Sequence, residues 1–244
     1  MQQSVAAMSS SLPRGEPGSR PGGRAAPVHA STGGFTKAER LFLPGPAGRL
    51  EALLEYDPAR AARATAIVCH PHPLFGGTLH NKVVYRAAKA AIIAGLPTLR
   101  FNFRGVGASE GEHTDGLGER NDVLAALDYL TSRFPVLPVC MVGYSFGSAV
   151  GLAVGANDPR VSALVGIGVP AGIWDLSFLR NVSKPTLIVQ GTRDLFGPPA
   201  ALAPVFAALA GRKELRWIEG ADHSFSARLD ELQETVRAFL AEIV

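Results

Sequence analysis

Long apolar runs are missing from this sequence. No window holds the roughly 18 uninterrupted apolar residues of a membrane span, and the nearest approach, 161–174, is broken by Gly166, Gly168 and Pro170 and ends at Asp175. A membrane partner is therefore not expected. Cysteine is nearly absent: Cys69 and Cys140 are the only two, each inside an apolar run. A disulfide scaffold needs more cysteines in a shorter chain, so both read as small core residues. Excess charge of one sign is also missing. Lys and Arg number 24 against 21 Asp and Glu, a net charge of +3. Arg14, Arg20 and Arg24 against Glu16 place two of those three charges in the first 35 residues. The rest is close to neutral, without the clustered Lys and Arg of a phosphate-tracking groove, which excludes nucleic acid as a partner.

What is present is a large supply of core and turn residues, 47% hydrophobic with 27 Gly and 18 Pro. Residues 1–35 are rich in Ser, Gly, Pro and Arg and have no aliphatic period. They are expected to form a disordered tail, and residues 36–244 a single domain. No apolar core of a secretory leader follows a basic start, so a cytoplasmic location is expected. The Arg- and Ser-rich, acid-poor composition fits a transit peptide, but without its amphipathic helix.

From residue 40 onward, strand-like runs at 40–43 and 50–56 are followed by a regular alternation. Strands are expected at 64–70, 98–103, 139–142, 163–166, 186–190 and 214–218. Helices are expected at 81–96, 119–134, 146–156, 200–210 and from about 226 onward, each with apolar residues at helical spacing. Strand and helix in alternation demand crossover connections, hence a mostly parallel, doubly wound sheet covered on both faces. Ligands in such sheets bind at the carboxyl ends of the strands.

Gly143-Tyr144-Ser145-Phe146-Gly147 fits Gly-x-Ser-x-Gly and lies between an expected strand and an expected helix, the context a nucleophile elbow requires. Its glycines give room for a sharp, strained turn. A serine hydroxyl needs an adjacent base, and in this arrangement acid and histidine follow in chain order. Asp194 sits just past the strand at 186–190 and His223 just past that at 214–218, the only histidine after Ser145. Ser145, Asp194 and His223 are therefore the candidate catalytic residues; Asp222 and Asp175 are rival acids.

A tetrahedral intermediate needs two N–H donors. The Phe146 N–H is one candidate. The other is expected in the loop His70-Pro71-His72-Pro73-Leu74-Phe75-Gly76-Gly77, from Leu74 with Phe75 as alternative. Phe75, Tyr144, Trp174 and Phe196 are expected to wall the substrate cleft. His70-x-His72 is set aside as a metal pair for want of a third ligand nearby, so no metal is expected. Arg104 and Glu119 read as braces of the loop after the strand at 98–103, the arginine paired with a carboxylate.

The loop 70–77, the run Arg100-Phe101-Asn102-Phe103-Arg104-Gly105-Val106-Gly107-Ala108-Ser109-Glu110-Gly111 and the motif 143–147 together resemble the small bacterial α/β hydrolases related to dienelactone hydrolases. The resemblance spans about residues 40–244. It implies an α/β-hydrolase fold, no cofactor, and Ser145, Asp194 and His223 as triad. Dienelactone hydrolases proper use a cysteine nucleophile; Ser145 departs from that and argues against their reaction. The connection 168–184 holds room for one short helix near 176–180, so no cap domain is expected. The expected activity is hydrolysis of small to medium acyl esters through an acyl-enzyme. A peptidase or thioesterase of the same fold would use the same residues, and a catalytically retired binding module is the rival from another class. Expected partners are a small-molecule ester and, in an assembly, a second copy forming a homodimer.

Overall fold

The computed structural model describes residues 36–243, so the expectation of a disordered tail lies outside the described residues. Each expected strand and helix is found, with its ends shifted by up to three residues. The strands are β1 (Lys37–Gly45), β2 (Gly48–Tyr56), β3 (Thr65–Cys69), β4 (Thr98–Phe101), β5 (Val139–Tyr144), β6 (Val161–Ile167), β7 (Thr186–Gly191) and β8 (Lys213–Ile218). The helices are α1 (Lys82–Ala94), α2 (Leu117–Arg133), α3 (Phe146–Asn157), α4 (Pro199–Ala208) and α5 (Leu229–Ile243).

The strands form one sheet in the order β1-β2-β4-β3-β5-β6-β7-β8. β1 and β2 are antiparallel, and β2 is antiparallel to β4; all later pairings are parallel. β3, β5, β6 and β7 are apolar throughout or nearly so, as strands buried on both faces must be. α1 and α5 cover one face through Val84, Ala87, Ala91, Val236 and Leu240. α2, α3 and α4 cover the other through Val123, Leu127, Val150 and Leu202. The chain leaves β3 to one side as β4 and to the other as β5, which opens a crevice between the ends of β3 and β5. Both Gly143-Tyr144-Ser145-Phe146-Gly147 and the loop 70–77 exit there.

The connection between β6 and β7 contains only a one-turn 3₁₀ helix, Ser177–Leu179, so no cap domain is inserted at this point. Cys69 and Cys140 are free and buried. Burial pushes both thiols up, Cys140 to about 12, and so away from reactive thiolates.

The loop after β4 is braced as expected, and the arginine's partner is Asp122 on α2. Arg104 donates from Nε at 3.0 Å and Nη2 at 2.7 Å to its two carboxylate oxygens, and the Arg104 backbone N–H adds a third bond at 3.0 Å. Asp122 is fully buried. Arg104→Ala would leave a buried carboxylate unpaired and is expected to lower unfolding free energy by about 3–5 kcal/mol in urea denaturation, whereas Arg104→Met with Asp122→Leu should recover most of that loss.

Candidate active site

Three strand ends deliver the site. Ser145 follows β5 directly, with its N–H still in the ladder to the Ile167 carbonyl at 2.9 Å. Its φ of 54° and ψ of −121° are costly for a residue with a side chain. The neighbouring glycines make that turn possible. A Cβ at Gly143 would strike Gly147 and Ser148, and one at Gly147 would strike the carbonyls of Cys69 and His70. The turn lifts the Ser145 hydroxyl off the sheet and seats α3 against the end of β3.

Asp194 lies in the turn after β7 and His223 in the turn after β8. The Ser145 hydroxyl donates to His223 Nε2 at 2.9 Å, and His223 Nδ1–H donates to Asp194 Oδ2 at 2.8 Å. An ionised carboxylate only accepts, so this order fixes the tautomer with its proton on Nδ1. Asp194 is buried and fully engaged: Oδ2 also accepts from Gln190 Nε2 at 2.8 Å, and Oδ1 from the Phe196 N–H at 2.9 Å. Neither rival acid is placed like this. Asp175 is exposed and caps its own turn, taking the Ser177 N–H at 2.9 Å and the Ser177 hydroxyl at 3.0 Å. Asp222 takes only a long bond of 3.4 Å from the Ser226 N–H among the described residues.

Gln190 and Tyr144 hold this arrangement, and sequence reasoning missed both roles. Gln190 is the penultimate residue of the apolar strand β7 yet is fully buried; its Oε1 accepts the Val169 N–H at 2.8 Å while its Nε2 donates to Asp194. A polar residue closing an apolar strand was the available signal. Tyr144, expected in the cleft wall, is buried instead. Its ring packs 5.3 Å from the His223 ring and its hydroxyl donates to the His223 carbonyl at 3.0 Å. Phe196 packs on His223 from another side at 4.6 Å. Trp174 lies behind the elbow, its ring 5.3 Å from that of Phe146.

The loop after β3 overturns the choice of amide. Pro73–Phe75 forms one 3₁₀ turn capped by His72. His72 Nδ1 accepts the Leu74 N–H at 3.2 Å, and the His72 carbonyl accepts those of Phe75 at 3.1 Å and Gly77 at 3.0 Å. Both amides favoured by the sequence are thus spent within the turn. The N–H groups of His72 and Phe146 make no hydrogen bond among the described residues. The two residues are neighbours, with rings 5.0 Å apart. Leu74 and Phe75 expose their side chains to solvent, Phe75 by 86%.

His70 is buried, its Nε2 accepting the Phe103 N–H at 3.0 Å and its Nδ1 donating to the Pro71 carbonyl at 2.6 Å. Burial pulls it down to about 4, so it is neutral. His72 approaches His113 and Asp115 instead, with ligand atoms within 4.8 Å of one another. Burial and the nearby His113 lower the His72 pKa. Because Nδ1 of a neutral His72 accepts from Leu74, its Nε2 carries the proton, and a cation would have to break that bond. His113 Nδ1 donates to Glu119 at 2.8 Å. Burial alone would raise the Glu119 pKa, but hydrogen bonds from Thr114 and Gly116 outweigh it and hold the carboxylate ionised. Glu119 is thus a brace, as the sequence suggested.

The family model described as an alpha/beta hydrolase domain matches residues 66–243. The chain belongs to the alpha/beta hydrolase family. This alpha/beta hydrolase is 33% identical over 214 residues to an uncharacterised protein of Rickettsia prowazekii, covering 84% of this chain and 89% of that one. Among solved structures it is similar to an alpha-beta serine hydrolase homologue from Coxiella burnetii, with 36% identity, a TM-score of 0.76 and coverage of 82% and 96%. It is also similar to a serine hydrolase without lid from Xanthomonas campestris, with 32% identity, a TM-score of 0.77 and coverage of 89% and 97%. Among the described residues, the connection between β6 and β7 of this alpha/beta hydrolase inserts no domain over the strand ends. No helix among its described residues is long and apolar enough to cross a membrane.

Proposed function

We propose that this alpha/beta hydrolase cleaves carboxylic esters through an acyl-enzyme on Ser145. The observation that carries the reading is the unbroken chain from the Ser145 hydroxyl through His223 to the buried Asp194, at 2.9 and 2.8 Å. His223 Nε2 takes the hydroxyl proton as Oγ bonds to the ester carbonyl carbon, whose π electrons move to oxygen. Collapse of that intermediate expels the alcohol, which leaves with the proton held by His223. Water then attacks the acyl group by the same route, releasing the acid and restoring the serine. Asp194 keeps the imidazole oriented and stabilises it while charged.

The proposed oxyanion donors are the N–H groups of Phe146 and His72, the second replacing Leu74 and Phe75. Their lack of other partners supports this, since a donor must be free to meet the developing charge. Phe75 and Phe196 are the proposed cleft walls, with Trp174 backing Phe146 and Tyr144 supporting His223 from below. Walls as exposed as these bury only the first part of an acyl chain. Each buried CH₂ is worth about 0.8 kcal/mol, or about fourfold in kcat/KM. In a series of p-nitrophenyl esters from acetate to palmitate, kcat/KM is expected to rise over the first few carbons and then stop rising. No rate jump should appear on emulsified substrate, and an aminoacyl p-nitroanilide should be a far poorer substrate. A maximum at palmitate, interfacial activation, or preferred cleavage of the amide would overturn this reading.

A further inference from the structure

Among the described residues, β8 is the last strand of the sheet and pairs with β7 alone. The carbonyls of Arg212 and Ile218 accept from the N–H groups of Thr186 and Thr192 at 2.9 and 3.1 Å. Even-numbered residues of this segment therefore turn their main chain toward β7. Alternate residues of a parallel strand address opposite neighbours, so Lys213, Leu215 and Trp217 turn their N–H and C=O groups outward. Such a row is a template for another strand.

We infer that this edge pairs antiparallel with β8 of a second copy of the chain, about a two-fold axis at Leu215. The register follows from the side chains. A two-fold axis normal to the sheet pairs residues of the same face, so it must centre on one residue. Centring on Glu214 sets Glu against Glu, on Arg216 Arg against Arg, and on Lys213 Lys against Lys. Centring on Trp217 leaves half of the strand unpaired. Centring on Leu215 pairs all five residues from Lys213 to Trp217 without a like-charge contact, and sets Glu214 of each copy opposite Arg216 of the other. It also makes Leu215, whose main chain points outward, a hydrogen-bonded pair with itself. Within one chain Arg216 already reaches Glu214 at 2.8 Å. Across the axis these residues close into a ring of four alternating charges. Trp217 is 37% exposed on the same edge, and tryptophan is enriched at protein interfaces.

Sedimentation velocity on the full chain, across a wide concentration range, tests the pairing. The wild type is expected to form a dimer. Arg216→Glu and Glu214→Arg each put like charges opposite one another twice per dimer and should weaken association about a hundredfold or more. The double variant Glu214→Arg with Arg216→Glu reverses the ring and should restore the dimer. These residues lie outside the proposed catalytic machinery, so ester hydrolysis by the variants reports that they fold. A wild type that stays monomeric throughout overturns the inference, the edge charges then serving to keep the strand unpaired. Single variants that remain dimeric, or a double variant that stays monomeric, overturn it as well.

Discussion

Ser145→Ala is expected to lower kcat on a p-nitrophenyl ester by about 10⁶ while leaving the melting temperature within a few degrees of wild type. Serine and histidine of a triad act as one unit, so His223→Ala should fall to a similar floor, and the double variant should lose little more. The floor should stand above the uncatalysed rate, because the proposed oxyanion donors, the Phe146 and His72 amides, remain in place. Stability should not fall, since Ser145 Oγ makes one hydrogen bond at the surface of the site and alanine tolerates the turn no worse than serine. A stopped-flow or long-time assay with active-site titration reads the loss. A change of less than tenfold would place the nucleophile elsewhere.

Asp194→Asn should lower kcat by about 10⁴ with the fold intact. With its NH2 turned to His223, the asparagine would donate to Nδ1 and so favour the tautomer with its proton on Nε2, which then cannot accept from the Ser145 hydroxyl. The surrounding bonds make this position sensitive. Gln190 Nε2 and the Phe196 N–H donate to different oxygens of the carboxylate, so an asparagine can satisfy only one of them with its oxygen and turns its own NH2 donor against the other. Asp222→Asn and Asp175→Asn should each change kcat by less than about threefold, since neither carboxylate reaches His223. If Asp222→Asn were the crippling change, the assignment of the acid would be wrong.

Most of the fold was legible because its signals are local. Apolar runs such as 139–142 and the helical spacing of Val123, Leu127 and Leu130 report burial directly, and their alternation leaves few topologies open. Strand ends were less legible where the chain is half exposed: β1 begins at Lys37 because an edge strand tolerates Lys37 and Glu39 on its solvent side. Ser145, Asp194 and His223 could be expected together because chain order and position after a strand bring all three to one edge, and the hydrogen bonds between them follow from that placement. Which amides of the loop after β3 stay free was not legible, because it depends on those that the His72 ring and carbonyl consume, a matter of hydrogen-bond accounting in three dimensions. Tyr144 was misread for a related reason. Its place in the elbow motif suggests the cleft, but the strand's alternation turns the ring inward beneath His223. Gln190 is marked in the sequence only as a polar residue near the end of an apolar strand; its partners appear only when the turns after β6 and β7 meet.

The most direct test of the central claim is covalent labelling with a fluorophosphonate, which an activated serine attacks because the adduct resembles the tetrahedral intermediate. Intact-mass analysis should show one adduct per chain, peptide mapping should locate it on Ser145, and Ser145→Ala should remain unlabelled. An unlabelled wild type, or labelling that persists in Ser145→Ala, would contradict the account.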